Sequence, residues 1–229
     1  MLLVAVSLCA LAGDLPALRL DVLEGRVRVA HEQGTASLPV GAVDWVHGPS
    51  GYLESSTLAR LRLRWLGAAS MELEGAHALA WQPARAEGSG LWLSFSGLDE
   101  ARLEVREGPL RFELPSGWRG LCSKGTLALR SGVDGHVDLE LLAGAPLLLS
   151  PPSSPGAVRP PWTVLPGARV RLLCGDPRPR VVAGKLRAPD PAPGAPAMAA
   201  PVGERPWSGF EWPWKSAESP ASRGWGPGW

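Results

Sequence analysis

The sequence predicts an all-β protein: a single rolled β-sandwich, jelly-roll-like or β-helical domain with a disordered C-terminal tail. Three observations predict it. Apolar residues recur at every second position through most of the chain, glycine-bearing turn signals interrupt them at short intervals, and no stretch sustains a helical period. Leu61-Arg62-Leu63-Arg64-Trp65 shows the alternation clearly, and Met71-Glu72-Leu73, Leu103-Glu104-Val105 and Val137-Asp138-Leu139-Glu140-Leu141 repeat it. A period of two places alternate side chains on one face, so each run reads as a half-buried strand. Turn signals fall between them at Gly48-Pro49-Ser50-Gly51, Glu87-Gly88-Ser89-Gly90 and Ser131-Gly132-Val133-Asp134-Gly135. Residues 53–61 come nearest to a helical pattern and allow one turn.

The ends differ from the middle. Residues 2–11 form a short apolar run, and Ala10-Leu11-Ala12 has the small-x-small pattern that signal peptidase accepts. Residues 1–12 therefore read as a signal peptide, and the expected location is the periplasm or outside the cell. The run is too short to span a bilayer as a mature helix. Residues 13–175 form the β domain. Residues 176–206, rich in Pro, Ala and Gly, read as a linker. Residues 207–229 hold five tryptophans (Trp207, Trp212, Trp214, Trp225 and Trp229) without any period to organise them. That tail cannot bury a core of its own. It is either disordered, or docks its indoles on the domain or a partner, or stacks on glycans or a membrane interface. The five tryptophans are the candidate partner-contact residues.

A strand, glycine corner, strand plan occurs three times. It is seen around Gly25 (Leu20 to Val29), around Gly108 (Leu103 to Phe112) and, more weakly, around Gly144 (Leu139 to Leu147). The spacing is irregular, which excludes a solenoid of fixed period and suits strands that turn a corner and continue.

Composition narrows the function classes. Basic and acidic side chains number 23 and 22, so no net field favours nucleic acid or an anionic membrane. Only three of the basic residues are lysines (Lys124, Lys185 and Lys215). The four histidines, His31, His47, His77 and His136, share no ligand spacing, and a strand position is expected for His77. Ser123-Lys124-Gly125-Thr126 reverses the order a phosphate loop requires, and no nucleophile elbow occurs. No cofactor, metal or catalytic residue is expected. Arg60, Arg62 and Arg64 are expected to pair with Glu72 and Glu74 across a hairpin. Arg102, Glu104 and Arg106 are expected to face Arg111 and Glu113 across Gly108.

Cys122 and Cys174, each at an apolar position, remain after signal removal. In an oxidising compartment they either pair, closing a loop worth about 4 kcal/mol, or persist as buried free thiols.

One stretch resembles a known family. Leu103-Glu104-Val105-Arg106-Glu107-Gly108-Pro109-Leu110-Arg111-Phe112 is similar to the strand, Gly, strand element of FecR-type domains. Lys124-Gly125-Thr126-Leu127-Ala128-Leu129 resembles that family's Gly-Thr-x-Phe-x-Val segment, with Leu127 in place of Phe, and Val137 to Gly144 resembles its closing strand. Upstream, Glu24 to Val29 and Leu38-Pro39-Val40-Gly41 stand where the family has its first strand and turn. The likeness covers residues 18–174. It implies an exported rolled β domain, without metal or catalytic residues, that senses or relays at the cell envelope. Members in iron-transport signalling link a receptor to a sigma factor through a membrane helix. No such helix is legible here, and the Trp-rich tail has no counterpart.

The expected function is thus a non-enzymatic envelope module with a protein partner. A carbohydrate-binding β-sandwich is the alternative, using Trp45, Trp92 and Trp118 as stacking surfaces unless these are buried in the core. A structural envelope component, which would self-associate, is the third reading.

Overall fold

The computed structural model describes residues 18–31, 34–46, 50–65, 67–83, 90–152 and 159–189. The expected signal peptide and the Trp-rich tail lie outside the described residues.

The chain winds back and forth between two sheets. β1 (Leu18–Glu24) lies in the first sheet and β2 (Val27–His31) in the second, on the far side of Gly25. β3 (Gly34–Leu38) stays in the second, β4 (Val43–Val46) returns to the first, and β5 (Gly51–Ser55) crosses again. Two hairpins follow. β6 (Arg60–Trp65) and β7 (Ala69–Glu74) join the first sheet, and β8 (Ala78–Pro83) and β9 (Leu91–Gly97) the second. β10 (Glu100–Val105), β13 (Gly125–Ser131) and β14 (Val137–Gly144) belong to the first sheet. β11 (Leu110–Glu113), β12 (Arg119–Cys122), β15 (Leu147–Ser150) and β16 (Trp162–Val164) belong to the second. β17 (Arg169–Leu172) and β18 (Arg180–Ala183) close the first, and β19 (Leu186–Arg187) closes the second.

Among the described residues the first sheet has nine strands, ordered β18-β17-β14-β13-β10-β7-β6-β1-β4. The second has ten, ordered β19-β16-β15-β12-β11-β9-β8-β5-β2-β3. Among the described residues, strand pairs are antiparallel except β9 with β11. A β-helix stacks parallel strands, so of the expected architectures the sandwich is the one that forms.

Alternation supplies the core. In β6 the leucines and Trp65 point inward while Arg60, Arg62 and Arg64 point out. Inward side chains of both sheets merge into one apolar cluster in which Trp81, Trp118 and Phe112 are the largest fully buried groups. Removing such apolar area from water is what holds the layers together, at about 2 kcal/mol per large side chain.

The glycine corners carry the chain from one layer to the other. Gly25 has φ +74°, and a Cβ there would stand 2.6 Å from Ala59 Cα. Gly144 has φ +114°, and a Cβ there would overlap Gly125 Cα and the Lys124 carbonyl. Both positions need a left-handed backbone and a close approach of neighbouring main chain, which only glycine tolerates. Gly75, Gly108 and Gly184 occupy equivalent crossings, so the plan read three times in the sequence occurs five times among the described residues.

Four expectations are corrected. β10 and β11 lie in different sheets, so Arg102, Glu104 and Arg106 do not face Arg111 and Glu113. Gly108 is the corner that its strand, glycine, strand plan marks, and the two strands it joins are not partners. The stretch from 176 is not all linker, because β18 and β19 form the sheet edges there and carry the folded domain to Arg187. Residues 53–61 hold a tight turn, closed by Ala59 N–H donating to Ser56 O at 3.0 Å, and no helical turn. His77 precedes β8 and is buried, with Nε2 3.0 Å from Glu74 O.

Candidate functional site

Cross-strand register organises the outward side chains of the nine-stranded sheet into charge ladders. One ladder runs Asp21, Arg62, Glu72, Arg102 across β1, β6, β7 and β10, then Ala128, Glu140 and Arg169 across β13, β14 and β17. A second runs Arg60, Glu74, Glu100, Arg130, Asp138, Arg171 and Arg180. Of the hairpin pairing expected for Arg60, Arg62 and Arg64, the first two stand opposite Glu74 and Glu72, with Arg62 Nη2 2.7 Å from Glu72 Oε1, whereas Arg64 stands opposite Ser70. Both groups are well exposed, so this pair stabilises little.

Two carboxylates on this face are nearly buried. Asp21 accepts from Arg19 Nε at 2.8 Å, and Arg64 Nη2 stands 3.5 Å from it. Asp138 is held more tightly. It accepts from Arg169 Nη2 at 2.7 Å and from Arg171 Nε and Nη2 at 2.8 and 3.1 Å. These guanidinium bonds, Arg171's foremost, hold its carboxyl well down, at about 2, although desolvation pushes the other way. His136 completes the cluster, with Nε2 3.8 Å from Asp138 Oδ1 and Nδ1 3.5 Å from Asp134 Oδ2. Its ring lies against Gly132, where any Cβ would collide with it.

The concavities on this face are shallow. One of about 350 Å³ is lined by Arg62, Arg64, Ser70, Glu72, Glu104 and Arg106 among others, and one of about 500 Å³ continues past Glu104 and Arg106 to Lys124 and Gly144. Their charged walls are largely paired with one another. Among the described residues, no three His, Cys, Asp or Glu side chains converge as a metal site, and no helix is long and apolar enough to cross a membrane.

The outer face of the ten-stranded sheet differs. Ala30, Tyr52 and Ala80 sit side by side across β2, β5 and β8, and Tyr52 donates to Glu54 Oε1 at 3.0 Å.

The residues singled out in the sequence disperse. Trp92 is buried, at 8% exposure, and Trp118 is fully buried, its Nε1–H donating to Leu173 O at 3.2 Å. Neither presents an indole face for a sugar. Trp45 lies on β4, but its side chain is outside the described residues, as are Trp207, Trp212, Trp214, Trp225 and Trp229. Cys122 is buried. Cys174, by contrast, lies past the end of β17 and is exposed, and both are free thiols. Cys122 stands at the rim that carries Gly144. Cys174 stands at the opposite rim, beside the Trp118–Leu173 bond. A disulfide requires Cα atoms within about 7 Å, and opposite rims do not offer that.

The sequence did not reveal the sheet edge at β18. All four of its residues are exposed, Val181 at 53% and Val182 at 48%, and it ends the nine-stranded sheet with no further strand among the described residues. The Val181-Val182 pair was the available signal, but its Pro- and Gly-rich surroundings masked it as linker.

No family model matches the chain, and no curated protein matches it. Among solved structures, it is similar to a protein of Parabacteroides distasonis provisionally described as an anti-sigma factor. The identity is 9%, the TM-score is 0.44, and 61% of each chain is covered. A likeness this distant carries nothing over to this chain.

Proposed function

We propose that this chain is an exported, non-catalytic interaction module of the cell envelope that binds a protein partner. The observation that carries the reading is what the described surface offers. It consists of flat sheet faces, shallow concavities whose charges are paired, and open sheet edges, in place of a pocket that would enclose a small molecule. Such surfaces suit macromolecular partners, whereas small-molecule sites are concave and mostly apolar. The apolar run at residues 2–11 with Ala10-Leu11-Ala12 supports export, and the FecR-type resemblance of residues 18–174 points the same way. Trp207, Trp212, Trp214, Trp225 and Trp229 supply further anchors for the partner, because tryptophan is favoured where an interface is buried.

Affinity capture from envelope extracts with the purified chain, followed by reconstitution with the captured protein in sedimentation velocity, tests this. A stoichiometric complex of two purified components is expected. Failure to reconstitute any complex, together with a tryptophan fluorescence shift on titration with cell-wall glycans or turnover of a small substrate, overturns it.

A further inference from the structure

We infer that β18 is a docking edge for an extended strand of the protein partner, one that alternates acidic and apolar side chains. The inference rests on the protein-binding reading above and names the surface and the chemistry of the contact.

The second charge ladder is the starting point. Opposite charges meet at most of its steps; Glu74 stands opposite Glu100 inside the sheet, with Arg60 and Arg130 on either side of that pair, and the ladder ends at β18 with Arg180 directly opposite Arg171. Like charges placed opposite one another in a sheet are unfavourable, and Asp138 is already engaged by Arg171 and Arg169. The residues around the edge add to the surplus. Arg178, Arg180, Lys185 and Arg187 are all exposed, and among the described residues the carboxylate that reaches any of them is Asp176, 3.9 Å from Arg180. A strand added outside β18 with a carboxylate beside Arg180 would continue the ladder by one more step.

The other face of the strand asks for the opposite chemistry. Val181 is in register with Val170, which is fully buried, so its side chain lies on the inner side of the sheet, yet it is 53% exposed. In the facing sheet Leu186 is in register with the buried Val164 and only partly covered. Val181 and Leu186 are thus, among the described residues, the last apolar side chains at this end of the core. An incoming apolar residue would extend that core, and its neighbours in the strand would point outward to Arg180. Main-chain bonds along an open edge supply affinity, and the alternating side chains supply selectivity. The same positive charge opposes edge-to-edge pairing of two copies of this chain, since each would bring its own arginines and lysine to the contact.

The full chain, with no peptide added, is compared with the chain plus an alternating glutamate–valine octapeptide or its lysine–valine counterpart. Amide exchange at Arg180–Ala183 and the affinity are read for each. The glutamate–valine peptide is expected to bind and to slow exchange at β18. Binding should weaken about tenfold or more when salt rises from about 50 to 500 mM. Arg180→Glu is expected to reverse the preference between the two peptides. Because Arg180 is exposed at an edge, its circular dichroism spectrum should match that of the unsubstituted chain. Equal binding of both peptides, protection elsewhere in the fold, or β18 amides already protected without peptide, by a second copy or by the chain's own C-terminal residues, each overturns the inference. Capture of the envelope partner that is unchanged by Arg180→Glu would sink the edge while leaving the protein-binding reading intact; absence of any partner would sink both.

Discussion

Replacing Asp138 by asparagine tests the charge network most directly. The substitution keeps the side chain's size and removes its charge, leaving Arg169 and Arg171 without their shared acceptor. The carboxyl sits at about 2 in the fold against an ordinary 3.8, which converts to about 2 kcal/mol at most. The carboxylate side chain is 10% exposed, but its arginine partners are about 40% exposed, so solvent screens the interaction. The expected loss at pH 7 is about 1–2 kcal/mol. The folded carboxyl is depressed, so this stability is fully present above the unfolded value near 4 and disappears as pH falls toward 2. Urea unfolding followed by tryptophan emission measures it, with buried Trp81 and Trp118 as reporters. Asp138→Asn should be less stable than the unsubstituted chain at pH 7, and the gap should close by about pH 2. A gap under about 0.5 kcal/mol at pH 7, or one that persists unchanged in acid, would refute the reasoning.

Glu72→Gln, which breaks an exposed pair of the same chemistry, should cost less than about 0.5 kcal/mol in the same assay. Gly144→Ala should cost about 2–4 kcal/mol, because it adds a backbone collision to an unfavourable φ; Gly135→Ala, where a Cβ meets open space, should cost about 1. Comparable losses for the two would remove the steric basis of the corners. The His77 imidazole is pushed below its ordinary value, chiefly by burial. The fold therefore favours its neutral form, and stability should decline as pH falls below about 6.5. His77→Gln should flatten that part of the pH profile, and an unaltered slope would assign it to other groups. In the chain freed of residues 1–12, a thiol reagent should modify Cys174 in the native state. Cys122, buried with its thiol pushed up, should react only on unfolding. Two unreactive sulfurs in the unfolded, unreduced chain would show a disulfide instead.

Strand identity was legible in the sequence wherever one face is buried and the other wet. Leu61-Arg62-Leu63-Arg64-Trp65 became β6 with the expected faces, because period-two alternation is itself the geometry of a strand. The corners at Gly25 and Gly144 were legible for a similar reason: a glycine between two alternating runs marks a backbone that other residues resist. Local pattern failed at β18, whose side chains are exposed on both faces and so leave no alternation to read. The corner at Gly108 was legible too, but the charge pairing expected across it was not, since whether the two strands at a glycine are partners depends on the sheet each one joins.

Periodicity thus specifies the class of structure and the inward and outward sides of those strands that have one buried face. Which strands become neighbours is settled in the assembled fold. That decision sets Arg169 and Arg171 on Asp138, more than thirty residues away in the chain. It also sends Cys122 and Cys174 to opposite rims and sets Arg180 facing Arg171 on the last described strand of its sheet. The physical reason is that alternation is written within each strand by contact with water or core. Register and neighbour order arise only when distant segments compete to bury the same apolar faces.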